Sequence, residues 1–102
     1  MSENLLNLVN TIRERKNKDK DKSYTSSLFS GGLSKCIDKM EEEFDELKEA
    51  LNDKSNEVHE AADTIYHILV TLEAANIKFE DVLQELENRK NQSGIEEKNN
   101  RK

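Results

Sequence analysis

The chain has 102 residues, 33% of them hydrophobic and 37% charged, with a net charge of −6. This length bounds it to one domain with little apolar surface to bury alone, and the negative balance excludes a general nucleic-acid or anionic-membrane binder, because both need a positive face. Pro is absent and Gly occurs three times, so an all-α chain is favoured over a turn-rich β fold.

In chain order, Ser2 is placed to cap a first helix in which Leu5, Leu8, Val9 and Ile12 recur at helical spacing beside Leu6. From Arg13 to Lys22 no apolar residue interrupts a mixed-charge run, which reads as a solvated helix end or linker. Residues 1–22 are therefore expected to form an amphipathic helix and a charged linker. The start of the chain has no signal-like apolar run, and no window approaches the roughly 20 apolar residues of a membrane span. A cytoplasmic location is the expectation.

Ser23 to Gly32 is short, mostly polar and glycine-terminated, and reads as a loop with at most one helical turn. Ser34 then caps a second helix with Ile37, Met40, Phe44, Leu47 and Leu51 as its core-facing stripe. Cys36 falls among these apolar positions and, being the one cysteine, reads as a buried structural thiol. Lys39, Glu43, Glu46 and Ala50 form the neighbouring stripe, at the border between core and solvent. The polar break Asn52-Asp53-Lys54-Ser55 marks a turn.

Beyond it, Val58, Ala62, Ile65, Leu69 and Leu72 give a third helix its core stripe, with Glu60, Asp63 and His67 on the adjacent one. Asn76 is a natural C-cap. A fourth helix places Phe79, Val82, Leu83 and Leu86 inward and Glu80 and Asp81 near its positive end, although Lys78 stands where a capping Ser or Asp is preferred. Residues 91–102 make a polar, basic tail, leaving 23–90 as the core. A single hairpin with flanking helices leaves an apolar face exposed, so pairing into a homodimer or higher homo-oligomer is expected to complete a helical bundle.

The chemistry concentrates on the two helices flanking the turn. Residues three or four apart share a helix face, so Glu42, Glu43 and Glu46 project together and Glu60 and Asp63 do likewise. If the helices fold back about Asp53, Glu46 is level with Glu60 and Glu43 with Asp63, so the carboxylates converge. Such a cluster repels itself unless a cation sits in it. An all-oxygen set without matching Cys or His suits Mg²⁺ or Mn²⁺ rather than zinc. A di-iron bundle site requires Glu-x-x-His pairs, and neither His59 nor His67 has a glutamate three residues upstream. His67 reads as a packing group or a group behind the site rather than a catalytic one, and Tyr66 as core with its hydroxyl satisfied.

The pattern Glu42-Glu43-x-x-Glu46 followed by Glu60-x-x-Asp63 resembles the metal signature of the all-α NTP pyrophosphatase superfamily. Three stretches narrow the resemblance: Ser23-Tyr24-Thr25, then Glu60-Ala61-Ala62-Asp63 with Tyr66-His67, and Ser93-Gly94-Ile95-Glu96-Glu97-Lys98 with Arg101. Together they are similar to the phosphoribosyl-ATP pyrophosphatases of histidine biosynthesis, over roughly Ser23 to Arg101. Glu41, His59 and Lys90 depart from residue types common in that family.

The resemblance implies Mg²⁺-dependent cleavage of phosphoribosyl-ATP into phosphoribosyl-AMP and pyrophosphate. It makes Glu42, Glu43, Glu46, Glu60 and Asp63 the metal carboxylates, with Glu43, Glu46 and Asp63 in the catalytic role. Ser23, Tyr24 and Thr25 become substrate contacts by the same resemblance, and Lys35, Lys39, Arg89, Lys98 and Arg101 are candidate phosphate contacts. Spacing leaves open which carboxylate accepts a proton from water. Lys39 has a simpler alternative, pairing with Glu43 along its own helix.

Two other functions fit parts of the sequence. A housekeeping nucleoside triphosphate pyrophosphatase shares the carboxylates without needing the Ser93 to Lys98 stretch. A non-enzymatic helical module would use the acidic stripe to bind a basic partner.

Overall fold

The computed structural model describes residues 2–16 and 23–90, and all its regular structure is helical. The elements are α1 (Ser2–Arg15), α2 (Tyr24–Ser30), α3 (Gly32–Asp53), α4 (Glu57–Ala74) and α5 (Phe79–Lys90). The expected linker residues 17–22 and the tail 91–102 lie outside the described residues. No helix among the described residues is long and apolar enough to cross a membrane.

The antiparallel hairpin of α3 and α4 is the frame on which the rest is mounted. Its turn falls where the polar break placed it. Lys54 takes a left-handed conformation (φ 58°) after α3, and the Ser55 amide donates to the Ala50 carbonyl at 3.1 Å, which satisfies an end carbonyl in the usual manner of helix termini. At the far end of α4, Asn76 has φ 61° and the Ile77 amide returns to the Leu72 carbonyl at 2.9 Å. The cap is Ala75 rather than the expected Asn76, which stands one residue beyond it in the left-handed conformation that ends the helix.

Two expectations about the segment before the hairpin are corrected. Ser23 to Gly32 is not mainly a loop, because Tyr24–Ser30 is helical, with the Ser23 hydroxyl accepting from the Ser26 amide at 3.0 Å. Nor does Ser34 cap α3, which already begins at Gly32. The two helices meet at Gly31 and Gly32, and Gly32 has φ +82°, a conformation in which a side chain is strained. A serine pattern signals a cap only where the chain enters from an extended segment. Here one helix passes almost directly into the next.

The core gathers Val9 and Ile12 from α1, Leu28 from α2, Cys36 from α3, Leu69 and Val70 from α4, and Phe79 from α5. Cys36 is buried as expected, its thiol directed to the Leu28 carbonyl at 3.6 Å. The charged run after Ile12 is not simply solvated. Arg13 reaches Glu80 at 2.9 Å and Glu73 at 3.4 Å, while Lys16 donates to the Glu73 carbonyl at 2.8 Å and to Asn76 Oδ1 at 2.7 Å. These contacts fasten the end of α1 to the α4–α5 junction.

The largest correction concerns which stripe of the hairpin faces inward. Ile37, Phe44 and Leu51 on α3, and Val58, Ala62 and Ile65 on α4, are exposed rather than core. Leu86 on α5 is exposed too. The neighbouring polar stripe fills the seam between α3 and α4 instead, with Ala50, Thr64, His67 and Thr71 buried there. Small or internally satisfied side chains make this possible. The Thr64 hydroxyl contacts the carbonyls of Glu60 (2.8 Å) and Glu43 (3.1 Å), and the Thr71 hydroxyl those of His67 (2.7 Å) and Cys36 (3.2 Å).

Candidate active site

Those two threonines fix the hairpin register. Cys36 with Thr71, and Glu43 with Thr64, each lie within one residue of level about Asp53. The register carries Glu43 of α3 against Glu60 and Asp63 of α4, and each of the three offers a carboxylate oxygen within 4.8 Å of the other two. Of the five acids expected to converge across the turn, these three do so in the described structure, without Glu42 or Glu46.

The cluster is electrostatically unsatisfied as it stands. Glu43 is pushed up to about 7, first because Glu46 hydrogen-bonds its protonated form, then because burial disfavours its charge and Glu46, Asp63 and Glu60 repel it. Glu60 Oε1 is buried with no hydrogen-bond partner, a costly condition for a polar atom. Glu60 also stands in the first turn of α4, where the helix dipole favours negative charge. A carboxylate oxygen held dry, without a donor and beside two other acids, fits a hard divalent cation.

The remaining candidates divide by place. Glu46 is exposed and, together with Glu49, Asp53 and Glu60, lines an open acidic depression of about 270 Å³ at the hairpin turn. Glu42 is also exposed and pairs with Lys39 at 3.7 Å. The Lys39 contact is with Glu42 rather than the Glu43 of the simpler alternative. His59 Nε2 lies 3.2 Å from an Asp63 carboxylate oxygen, one turn along the same helix. Lys35 is exposed near the start of α3.

On the substrate side, α2 is fastened to α4 by two consecutive contacts. Thr25, buried, hydrogen-bonds the Tyr66 hydroxyl, and the Tyr24 hydroxyl stands 3.4 Å from His67 Nε2. Tyr66 therefore has its hydroxyl satisfied, as expected. Partial desolvation raises the Tyr24 phenol; Lys39 opposes this, and Glu43, Asp63 and Glu42 add to it. Tyr24 is thus within the field of the acid cluster.

Buried His67 has its pKa lowered by desolvation against the pull of Asp63. Burial thus favours its neutral form, and Nε2 is also 3.9 Å from Glu43 Oε1. The spacing Asp63 to His67 put this residue behind the site, yet only the packing of α2 reveals its link to Tyr24.

Arg89 lies elsewhere, on α5, pairing with Glu85 at 3.6 Å and lining a depression with Val82 and Leu86. Lys98 and Arg101 fall outside the described residues.

The family model described as phosphoribosyl-ATP pyrophosphohydrolase matches residues 5–90. A phosphoribosyl-ATP pyrophosphatase of Rhodobacter capsulatus is 42% identical over 96 residues, covering 92% of this chain and 93% of its own. That of Paracoccus denitrificans is 42% identical over 97 residues, covering 93% and 90%. That of Rhizobium etli is 41% identical over 99 residues, covering 95% and 92%. With a match spanning α1 to α5, the chain belongs to the phosphoribosyl-ATP pyrophosphohydrolase family.

Proposed function

We propose that this protein hydrolyses phosphoribosyl-ATP to phosphoribosyl-AMP and pyrophosphate, in histidine biosynthesis and in the cytoplasm, with Mg²⁺ as cofactor and Mn²⁺ as a substitute. The observation that carries the reading is the convergence of Glu43, Glu60 and Asp63 from opposite sides of one hairpin, with Glu60 Oε1 buried and unpartnered. These three residues would hold the ion, with Glu42 and Glu46 flanking them. Bound there, Mg²⁺ supplies charge neutralisation for the phosphate oxygens and lowers the pKa of a water.

The chain's own groups then have distinct tasks. Glu46 hydrogen-bonds Glu43 yet is open to solvent, which makes it the carboxylate best placed to accept the proton of the attacking water. That water adds at phosphorus, the bond between the α and β phosphates breaks, and pyrophosphate leaves. Tyr24, exposed on α2, meets the substrate with Ser23 just before that helix, while Thr25, buried against Tyr66, seats the helix rather than touching substrate. Lys35 and Lys39 face phosphate from α3, Lys98 and Arg101 are assigned to phosphate contact on the resemblance, and Arg89 is a candidate by its charge.

A second subunit is part of the proposal. Leu33, Ile37, Phe44, Leu51, Val58 and Ile65 are 38% to 85% exposed along the outer face of the hairpin, a contiguous apolar stripe of the kind that marks an interface. A homodimer burying this face completes the bundle.

The test is pyrophosphate release from phosphoribosyl-ATP and from a panel of nucleoside triphosphates, with and without Mg²⁺. Release confined to phosphoribosyl-ATP with Mg²⁺, and lost in Glu43→Gln and Asp63→Asn, supports the reading. Equal turnover of common nucleotides indicates a housekeeping enzyme, and no turnover of any substrate indicates a binding module.

A further inference from the structure

His67 is the one buried ring of α4 that reaches both halves of the site. Its side chain is 6% exposed, and a single atom, Nε2, stands 3.4 Å from the Tyr24 hydroxyl and 3.9 Å from Glu43 Oε1. One turn further on, its backbone carbonyl accepts from Thr71, which also reaches the Cys36 carbonyl of α3. The ring is packed edge-on against Tyr24 and Tyr66, with interplanar angles of 71° and 73°. It has little room to turn away from either oxygen. Contacts of this kind are often long without substrate and tighten in the complex.

We infer that His67 is a positioning residue, whose Nε2 couples the seating of Tyr24 on α2 to the orientation of the Glu43 carboxylate on α3. The inference rests on the proposed hydrolysis. The ring lends one nitrogen to two oxygens. A neutral imidazole with its hydrogen on Nε2 donates either to the Tyr24 hydroxyl oxygen or to Glu43, so no proton moves when it changes partner. Substrate contact that engages the Tyr24 hydroxyl elsewhere frees Nε2 for Glu43. Thr25, tied to Tyr66 one position away, keeps α2 seated while Tyr24 changes partner.

The test uses full-length protein with His67→Phe, His67→Gln, Tyr24→Phe and the double variant His67→Phe/Tyr24→Phe. Phenylalanine keeps the ring and its edge contacts without the nitrogen, and glutamine returns an N–H near Nε2. Removing a group that orients a metal ligand lowers metal affinity or activity about 10- to 100-fold. His67→Phe is therefore expected to weaken Mg²⁺ binding by about tenfold, measured calorimetrically without substrate, and to lower kcat/KM by about 10- to 100-fold. His67→Gln should recover most of both.

Tyr24→Phe should act mainly on KM, and should cost less when His67 is already Phe, because the two groups share one interaction. Wild-type Mg²⁺ affinity in His67→Phe, equal losses in His67→Phe and His67→Gln, or multiplicative effects in the double variant would each overturn the inference. Should His67→Phe fail to melt cooperatively, Tyr24→Phe decides, and an unchanged KM sinks the coupling. If wild type releases no pyrophosphate, the functional reading fails instead, and the Mg²⁺ titration of His67→Phe still decides on His67.

Discussion

The Thr64 hydroxyl lies 3.1 Å from the Glu43 carbonyl across the hairpin, so a neutral side chain sets the height at which an acid of α3 meets the acids of α4. Thr71 makes the equivalent contact to the Cys36 carbonyl two turns further along. Both are buried, but only Thr64 touches the backbone of a cluster residue.

Thr64→Val and Thr71→Val keep shape and lose the hydroxyl, and each is expected to lower stability by about 1 kcal/mol in denaturant titration. They should part in Mg²⁺ affinity. Thr64→Val weakens it because Glu43 loses its register, whereas Thr71→Val leaves it at the wild-type value. Equal affinity in both variants would count against a register role for Thr64.

The acid cluster also makes stability depend on pH. Glu43 sits near 7 in the folded protein against an ordinary 4.5, so the folded state binds its proton more tightly than the unfolded state. Stability is then greatest below the unfolded value and falls as pH rises from about 4.5 through about 7. Metal-free protein should melt lower at pH 8 than at pH 5.5. Glu43→Gln should flatten that slope. Mg²⁺ affinity should rise over the same interval, since coordination requires the carboxylate.

Arg13 and Glu80 give the opposite sign. The Arg13 guanidinium hydrogen-bonds Glu80 and holds it down at about 2, so its contribution is present above the unfolded value and lost as pH falls through about 2. Arg13→Met is expected to lower the melting temperature slightly at pH 7, and less in high salt, because exposed charges are screened. Near pH 2 the variant and wild type should melt together.

Phe44→Glu on the outer face should yield a monomer by sedimentation while circular dichroism still reports helix. Wild type should sediment as a dimer or larger. A monomeric wild type would remove the second subunit from the account.

Much of this was legible because carboxylate spacing and a polar break obey helix geometry whatever covers the helix. Glu43, Glu60 and Asp63 needed only a period and a turn at Asp53. The inward direction of Ile37, Phe44 and Val58 was misread for a physical reason: amphipathicity says which residues are apolar on one face, not which surface that face meets. The buried polar seam of Thr64, His67 and Thr71 carries no apolar signal. Arg13 and Lys16 looked solvated because their partners, Glu80, Glu73 and Asn76, are far away in sequence. The α2 helix was hidden by its serines and by an exit through Gly31 and Gly32.

Anomalous scattering from crystals grown with Mn²⁺ puts the central claim to the most direct trial. A peak is expected about 2.1 Å from oxygens of Glu43, Glu60 and Asp63 in one subunit, joining α3 to α4. Crystals of active protein in which Mn²⁺ binds elsewhere, with these three carboxylates turned to solvent, would contradict it.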